Sequence, residues 1–124
     1  MNGEKMEDLP LVDLAQMERL KEWGGPDLQK KMVDLFLTHA QERLDQIGEG
    51  VATRDTAKAE TGAHTLKSSA GNVGAQRVQA LAQDAEALAE AGNIEDIEAM
   101  LPTLRKEFDA ACTALKEAVE GGEK

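Results

Sequence analysis

Residues 93–115 read NIEDIEAMLPTLRKEFDAACTAL, and within them Ile94, Ile97, Leu101, Leu104, Phe108, Ala111 and Leu115 are spaced by alternating steps of three and four. That spacing returns apolar side chains to one stripe of an α-helix, the seam by which helices of a bundle meet. Gly92 supplies a stop for whatever helix precedes it, and Asn93 supplies an N-cap for this one. Pro102 has no N–H to give and is expected to kink or break the helix. A periodic stretch of about three heptads is short for an extended coiled coil, and Gly-rich breaks interrupt the chain before it, so bundling within one molecule is the expected arrangement.

Working outward, the other segments have the same character. Asp13 can cap a short helix from about Leu14 to Trp23, with Leu14, Met17 and Leu20 as its apolar stripe and Gly24-Gly25-Pro26 as its end. A second helix is expected from Asp27 to about Gly48, with Met32, Val33, Phe36, Leu37, Ala40, Leu44 and Ile47 on a broad apolar face. A third follows Asp55 to about Gly71, and a fourth runs from about Ala75 to Ala91 on Val78, Leu81, Ala82, Ala85 and Leu88. Short loops make consecutive helices antiparallel. The expected fold is therefore all-α: an antiparallel up-and-down four-helix bundle with a short additional N-terminal helix, packed like a lid on the rest. The bundle occupies residues 10–120, with flexible ends at 1–9 and 121–124.

Composition agrees and excludes several classes. The chain has 124 residues, enough for one core. Aromatics are 2%, Tyr is absent, and Ala, Leu, Glu, Gln and Lys dominate, as helices prefer. A net charge of −10 without a basic patch argues against binding nucleic acid. One cysteine, Cys112, cannot close an internal disulfide, and it has no cluster of His or Cys around it to make a zinc site. No stretch approaches the roughly 20 apolar residues that cross a bilayer, and the first residues lack a leader's apolar run. A cytoplasmic protein is expected, with no membrane association and no metal. The five Met residues are read as core or boundary positions.

The chemistry concentrates on the third helix. At about 100° per residue, Ala59, Ala63, Leu66, Ala70 and Val73 share a narrow buried arc, while His64 points well away from it. Lys67, Ser68 and Gly71 share the face of His64, with Glu60 and Thr61 one turn earlier. A nucleophilic imidazole needs an unprotonated ring nitrogen, room for a bulky electrophile and a counter-charge for the group it receives. Lys67 would disfavour the imidazolium by repulsion and donate to incoming phosphoryl oxygens, and small Ser68 and Gly71 leave space. Arg77 and Gln83 of the fourth helix are weaker candidates to reach this face. His39 borders the second helix's apolar stripe and is read as a packed or boundary histidine. On spacing alone, an exposed helical His with a Lys three residues on is also what an ordinary solvated surface looks like.

The segment His64-Thr65-Leu66-Lys67-Ser68-Ser69-Ala70-Gly71-Asn72-Val73-Gly74 resembles the phosphorylation motif of histidine-containing phosphotransfer (HPt) domains. The His, the Leu at +2, the Lys at +3, the run of small residues and the Gly at +10, Gly74, all match. Ser68 replaces the frequent Gly at +4. The resemblance extends over roughly residues 12–118, with Phe36, Leu44, Ile47, Leu81, Glu86 and Gly92 in framework positions. It implies a phosphorelay intermediate: His64 takes a phosphoryl group on its outer ring nitrogen from a receiver-domain aspartate or a kinase module and passes it to another response-regulator receiver. Lys67 would neutralise the phosphoryl charge, and Glu60, Thr61, Ser68, Gly71 and Gly74 would give the partner access. The resemblance implies a monomeric phosphocarrier with no kinase or ATPase activity and no bound cofactor, Mg²⁺ belonging to the receiver. Partners would be receivers and a hybrid or other histidine kinase.

Four other readings compete. The phosphoacceptor module of a sensor kinase usually has an acidic residue after its His and a nearby Pro; here Thr65 follows, and the next Pro is Pro102. The phosphoacceptor domain of a chemotaxis-type kinase, detached from its other domains, is a related reading, against which the short chain with its own Met1 favours a stand-alone shuttle. An adaptor bundle would bind receivers without accepting phosphate. A di-iron bundle needs paired Glu-x-x-His motifs, which are missing.

Overall fold

The structure, a computed structural model, describes residues 9–121 as four helices and no strand. Helix α1 is Leu14–Thr53, α2 Thr56–Val73, α3 Gln76–Glu90 and α4 Ile94–Gly121. Each packs on its two neighbours in a cycle, α1 on α2, α2 on α3, α3 on α4 and α4 back on α1. Connections of two or three residues force each helix to reverse on the last, giving the antiparallel up-and-down four-helix bundle. The flexible ends expected at 1–9 and 121–124 lie outside the described residues, apart from Leu9 and Gly121.

The caps explain the boundaries. The Asp13 carboxylate accepts from the Ala15 N–H at 3.0 Å, Asp55 from Lys58 N–H at 3.1 Å, and Asn93 Oδ1 from Asp96 N–H at 3.2 Å. Each satisfies a donor that the first turn leaves unpaired. Arg54 ends α1 in the left-handed region (φ 59°). The core is one continuous cluster in which Phe108, Leu44, Ile47, Leu66, Ile97, Leu104 and Leu115 are the large residues most fully enclosed. Phe36 of α1 meets Phe108 of α4 with ring centroids 5.7 Å apart.

The break expected at Gly24-Gly25-Pro26 is present as non-helical backbone at Gly24 and Gly25, which separates the first two expected helices as arms of α1. The buried Gln29 amide bridges the break by donating to the Met17 carbonyl at 2.9 Å. Two expectations change. Gly48 is not a stop, since α1 continues to Thr53, and Gly50 lies where α1 meets α2, a Cβ there standing 2.7 Å from the Ala59 nitrogen. Pro102 leaves α4 unbroken. It sits on the exposed side of the helix, where water can satisfy the carbonyl it leaves unpaired.

The N-terminal arm is clasped to the α2–α3 corner. Asp13 N–H donates to the Gly74 carbonyl at 2.7 Å, the Gln16 amide to the Asn72 carbonyl at 2.9 Å, and Arg77 Nε to the Leu9 carbonyl at 2.8 Å. Met17 and Leu20 are buried beneath the arm, so it is an integral wall of the core.

Candidate functional site

Burial of Ala59, Gly62, Ala63, Leu66, Ala70 and Val73 fixes the rotation of α2, and this turns His64 outward with its side chain 63% exposed. On α3, burial of Val78, Leu81, Ala82, Ala85 and Ala89 brings Glu86 to the edge facing α2. The α2–α3 corner sets the register. Gln79 lies over Gly71, its amide nitrogen 2.8 Å from where a Cβ on Gly71 would stand, and seven residues further along each helix His64 meets Glu86.

Glu86 is a fork. One carboxylate oxygen lies 2.7 Å from His64 Nδ1, and the other accepts from Lys67 Nζ at 2.6 Å. The hydrogen bond from Lys67, then that from His64, holds the Glu86 carboxyl below its ordinary value of 4.5, so it is ionised at neutral pH. An ionised carboxylate only accepts, so Nδ1 must carry a proton. In the neutral ring this leaves the lone pair on Nε2, which has no protein partner among the described residues and faces solvent. The ring thus has one anchored nitrogen and one available nitrogen. A shallow open groove lined by Ala57, Glu60, Thr61, His64 and Glu86 adjoins it.

The expected site residues divide. His64, Glu60 and Thr61 line one groove, and Ser68 is exposed on the same face. Lys67 is half-buried with its ammonium on Glu86, so the charge acting directly on the ring is a carboxylate, where the sequence led us to expect repulsion from a lysine. Gly71 faces α3 beneath Gln79. Gly74 is buried at the C-cap of α2 (φ 79°) against Asp13, which excludes it from an access role. Arg77 points away, to Leu9 and to Glu107 of α4. Gln83 is exposed one turn before Glu86 and lines a separate groove with Leu9, Gln76, Gln79 and Ala80. His39 is exposed, 3.9 Å from Glu42, on the rim of a groove formed by Met32, Leu35, Phe36, Ser69, Asn72 and Val73. It is not packed, because the stripe it borders turns away beneath it.

Glu86 is the residue that sequence reasoning missed as a participant. The signal was present: in a tight antiparallel hairpin turning at Gly74-Ala75, residues equally far from the corner face one another, which puts 85 or 86 opposite 64.

Among the described residues, no group of three or more His, Cys, Asp or Glu is placed to hold a metal ion, and no helix is long and apolar enough to cross a membrane. No curated protein matches the chain in sequence. Its fold is similar to that in the crystal structure of histidine-containing phosphotransfer protein B (HptB) from Pseudomonas aeruginosa PAO1, with a TM-score of 0.84 at 22% identity, covering 90% of this chain and 96% of that one. The sequence model of the Hpt domain matches residues 31–118, a span that holds His64, Lys67 and Glu86 together with parts or all of the four helices. By that match, over more than half its length, the chain belongs to the Hpt domain family.

Proposed function

We propose that this Hpt domain is a phosphocarrier that accepts a phosphoryl group on His64 Nε2 from the aspartyl phosphate of one receiver domain and delivers it to the aspartate of another. The observation that carries the reading is the asymmetry of the ring: Nδ1 is committed to Glu86, and Nε2 has no protein partner among the described residues, on an exposed helix face. In the transfer, the Nε2 lone pair forms the N–P bond as the P–O bond to the donor carboxylate breaks, and that carboxylate leaves with the electron pair. The ring becomes positive with Nδ1 still protonated, and Glu86 is placed to balance it. Lys67, one helical turn from the histidine, offers a cation to the new phosphoryl oxygens. Return of the group to a second aspartate reverses these steps. The carrier supplies no nucleotide site, works as a monomer in the cytoplasm, and draws the Mg²⁺ of the reaction from its receiver partner.

The exposed rim around His64 serves as the docking face, with Leu35 at the α1–α2 groove on one flank and the α3 edge on the other. Incubation with a phosphorylated receiver and Mg²⁺ tests the proposal. The protein should gain an acid-labile, alkali-stable phosphoryl label that His64→Gln abolishes. Full labelling of that variant would refute it, and receiver binding without any label would make the chain an adaptor.

A further inference from the structure

We infer that Glu86 is a positioning residue for the outgoing half of the transfer: it holds the proton on His64 Nδ1 after the phosphoryl group has bonded to Nε2, keeping the ring ready to leave as neutral imidazole. The inference rests on the phosphoacceptor role proposed for His64. When the Nε2–P bond breaks, its electron pair returns to the ring. A ring protonated on Nδ1 departs as neutral imidazole, whereas one that has lost this proton must depart as imidazolate, a far poorer leaving group. Capture creates the protonated, positively charged form. On a side chain 63% exposed, a local acceptor opposes loss of that proton to water, together with the negative charge of the phosphoryl group itself.

The geometry supplies that acceptor. Glu86 Oε2 is 2.7 Å from Nδ1, and the bond from Lys67 to Oε1 pins the carboxylate in place. The other charged groups facing this position are few. On α2, Glu60 lines the groove with His64, and the ammonium of Lys67 is matched by Glu86 itself. On α3, Glu90 lies one turn beyond Glu86 and is exposed. From α1, Arg43 faces this stretch, its carbonyl oxygen 3.0 Å from where a Cβ on Gly62 would stand, but its guanidinium is engaged by Gln46. The carboxylate in direct contact with Nδ1 therefore dominates, because attraction to an opposite charge at hydrogen-bond distance outweighs that of solvent-separated groups.

Glu86→Gln tests the idea, since the amide oxygen can still accept from Nδ1 but carries no charge. Wild type and variant are phosphorylated, and single-turnover transfer to a receiver is followed across pH alongside ¹⁵N and ³¹P spectra of the phosphohistidine. Glu86→Gln should still take the label on His64, but the pH above which its transfer slows should fall by about one unit, making it roughly tenfold slower on the alkaline limb. The ¹⁵N signal of Nδ1 should move with the rate. Glu86→Asp, which retains the charge, should recover part of the shift, and it provides a second reading if the Gln variant folds poorly. Unchanged pH profiles in both variants would overturn the inference while leaving the carrier role intact. A wild type that accepts no label would instead remove the reading beneath it.

Discussion

Gly74→Ala should unfold this protein far more easily than the same change at Gly92, although both glycines have nearly the same backbone conformation (φ 79° and 73°). Placing an L side chain in the left-handed region costs about 1–2 kcal/mol at either site. At Gly92 nothing lies within 4 Å of the new Cβ, so that is the whole effect. At Gly74 the Cβ would stand 2.9 Å from the Asp13 carbonyl oxygen and 3.1 Å from Gln16 Cβ. Either the arm shifts, losing the 2.7 Å bond from Asp13 N–H to the Gly74 carbonyl, worth about 1 kcal/mol net, or the contact is compressed at about 1–3 kcal/mol. The total for Gly74→Ala is about 3 kcal/mol, against about 1.5 kcal/mol for Gly92→Ala. At about 4 °C per kcal/mol for a domain of this size, Tm falls by about 12 °C and about 6 °C respectively. Urea titrations followed by helical circular dichroism at 222 nm would measure both, with unchanged slopes showing that stability alone has moved. Equal losses at the two sites, within about 0.5 kcal/mol, would show that the N-terminal arm does not press on Gly74 and refute the clasp. The folded fraction of Gly74→Ala should keep its phosphoacceptor capacity, because His64 is about 15 Å away along α2.

Phe108→Ala removes the α4 partner of Phe36 from the centre of the core and should lower stability by about 3–5 kcal/mol in the same titrations; a loss under 1 kcal/mol would contradict the packing described. Lys67→Ala takes away a cation whose charged hydrogen bond to a phosphoryl oxygen is worth about 1.5–3 kcal/mol, so stopped-flow transfer to a receiver should slow by about 10- to 100-fold with receiver binding little altered. Because the Glu86 carboxyl is held below 4.5, its ion pairs stabilise the folded state above that pH and weaken as pH falls through the lowered value; the salt-sensitive part of acid unfolding should shrink in Glu86→Gln. Burial raises the Cys112 thiol above its ordinary 9.0, so maleimide labelling near neutral pH should be slow until urea opens the bundle.

The bundle was legible because its determinants are local and periodic. The stripe from Ile94 to Leu115, the caps at Asp13, Asp55 and Asn93, and the buried arc of α2 that turns His64 outward all follow from spacing within single helices. What spacing could not give was which helix faces stand against one another. Gly48, expected to end a helix, lies inside α1, and Gly50 and Gly62 lie where α1 and α2 approach too closely for a side chain, a property of the pair and not of either segment. Glu86 is the same case at the site. It is 22 residues from His64 in sequence, and only the hairpin register brings it to the ring. Lys67 was placed on the correct face, but the carboxylate that occupies its ammonium could not be read from its own helix.

An imidazole presented on a convex helix face has a consequence for selectivity. With the side chain of His64 largely in water, the proposed function gives this surface half of a reaction centre, the complementary half arriving with the partner. The bound phosphoryl group would be stored without being spent, and any visitor carrying the complementary half would finish the job. On the proposed function, choice among visitors falls to the perimeter, where Leu35 and His39 rim one groove and Gln79 and Gln83 another.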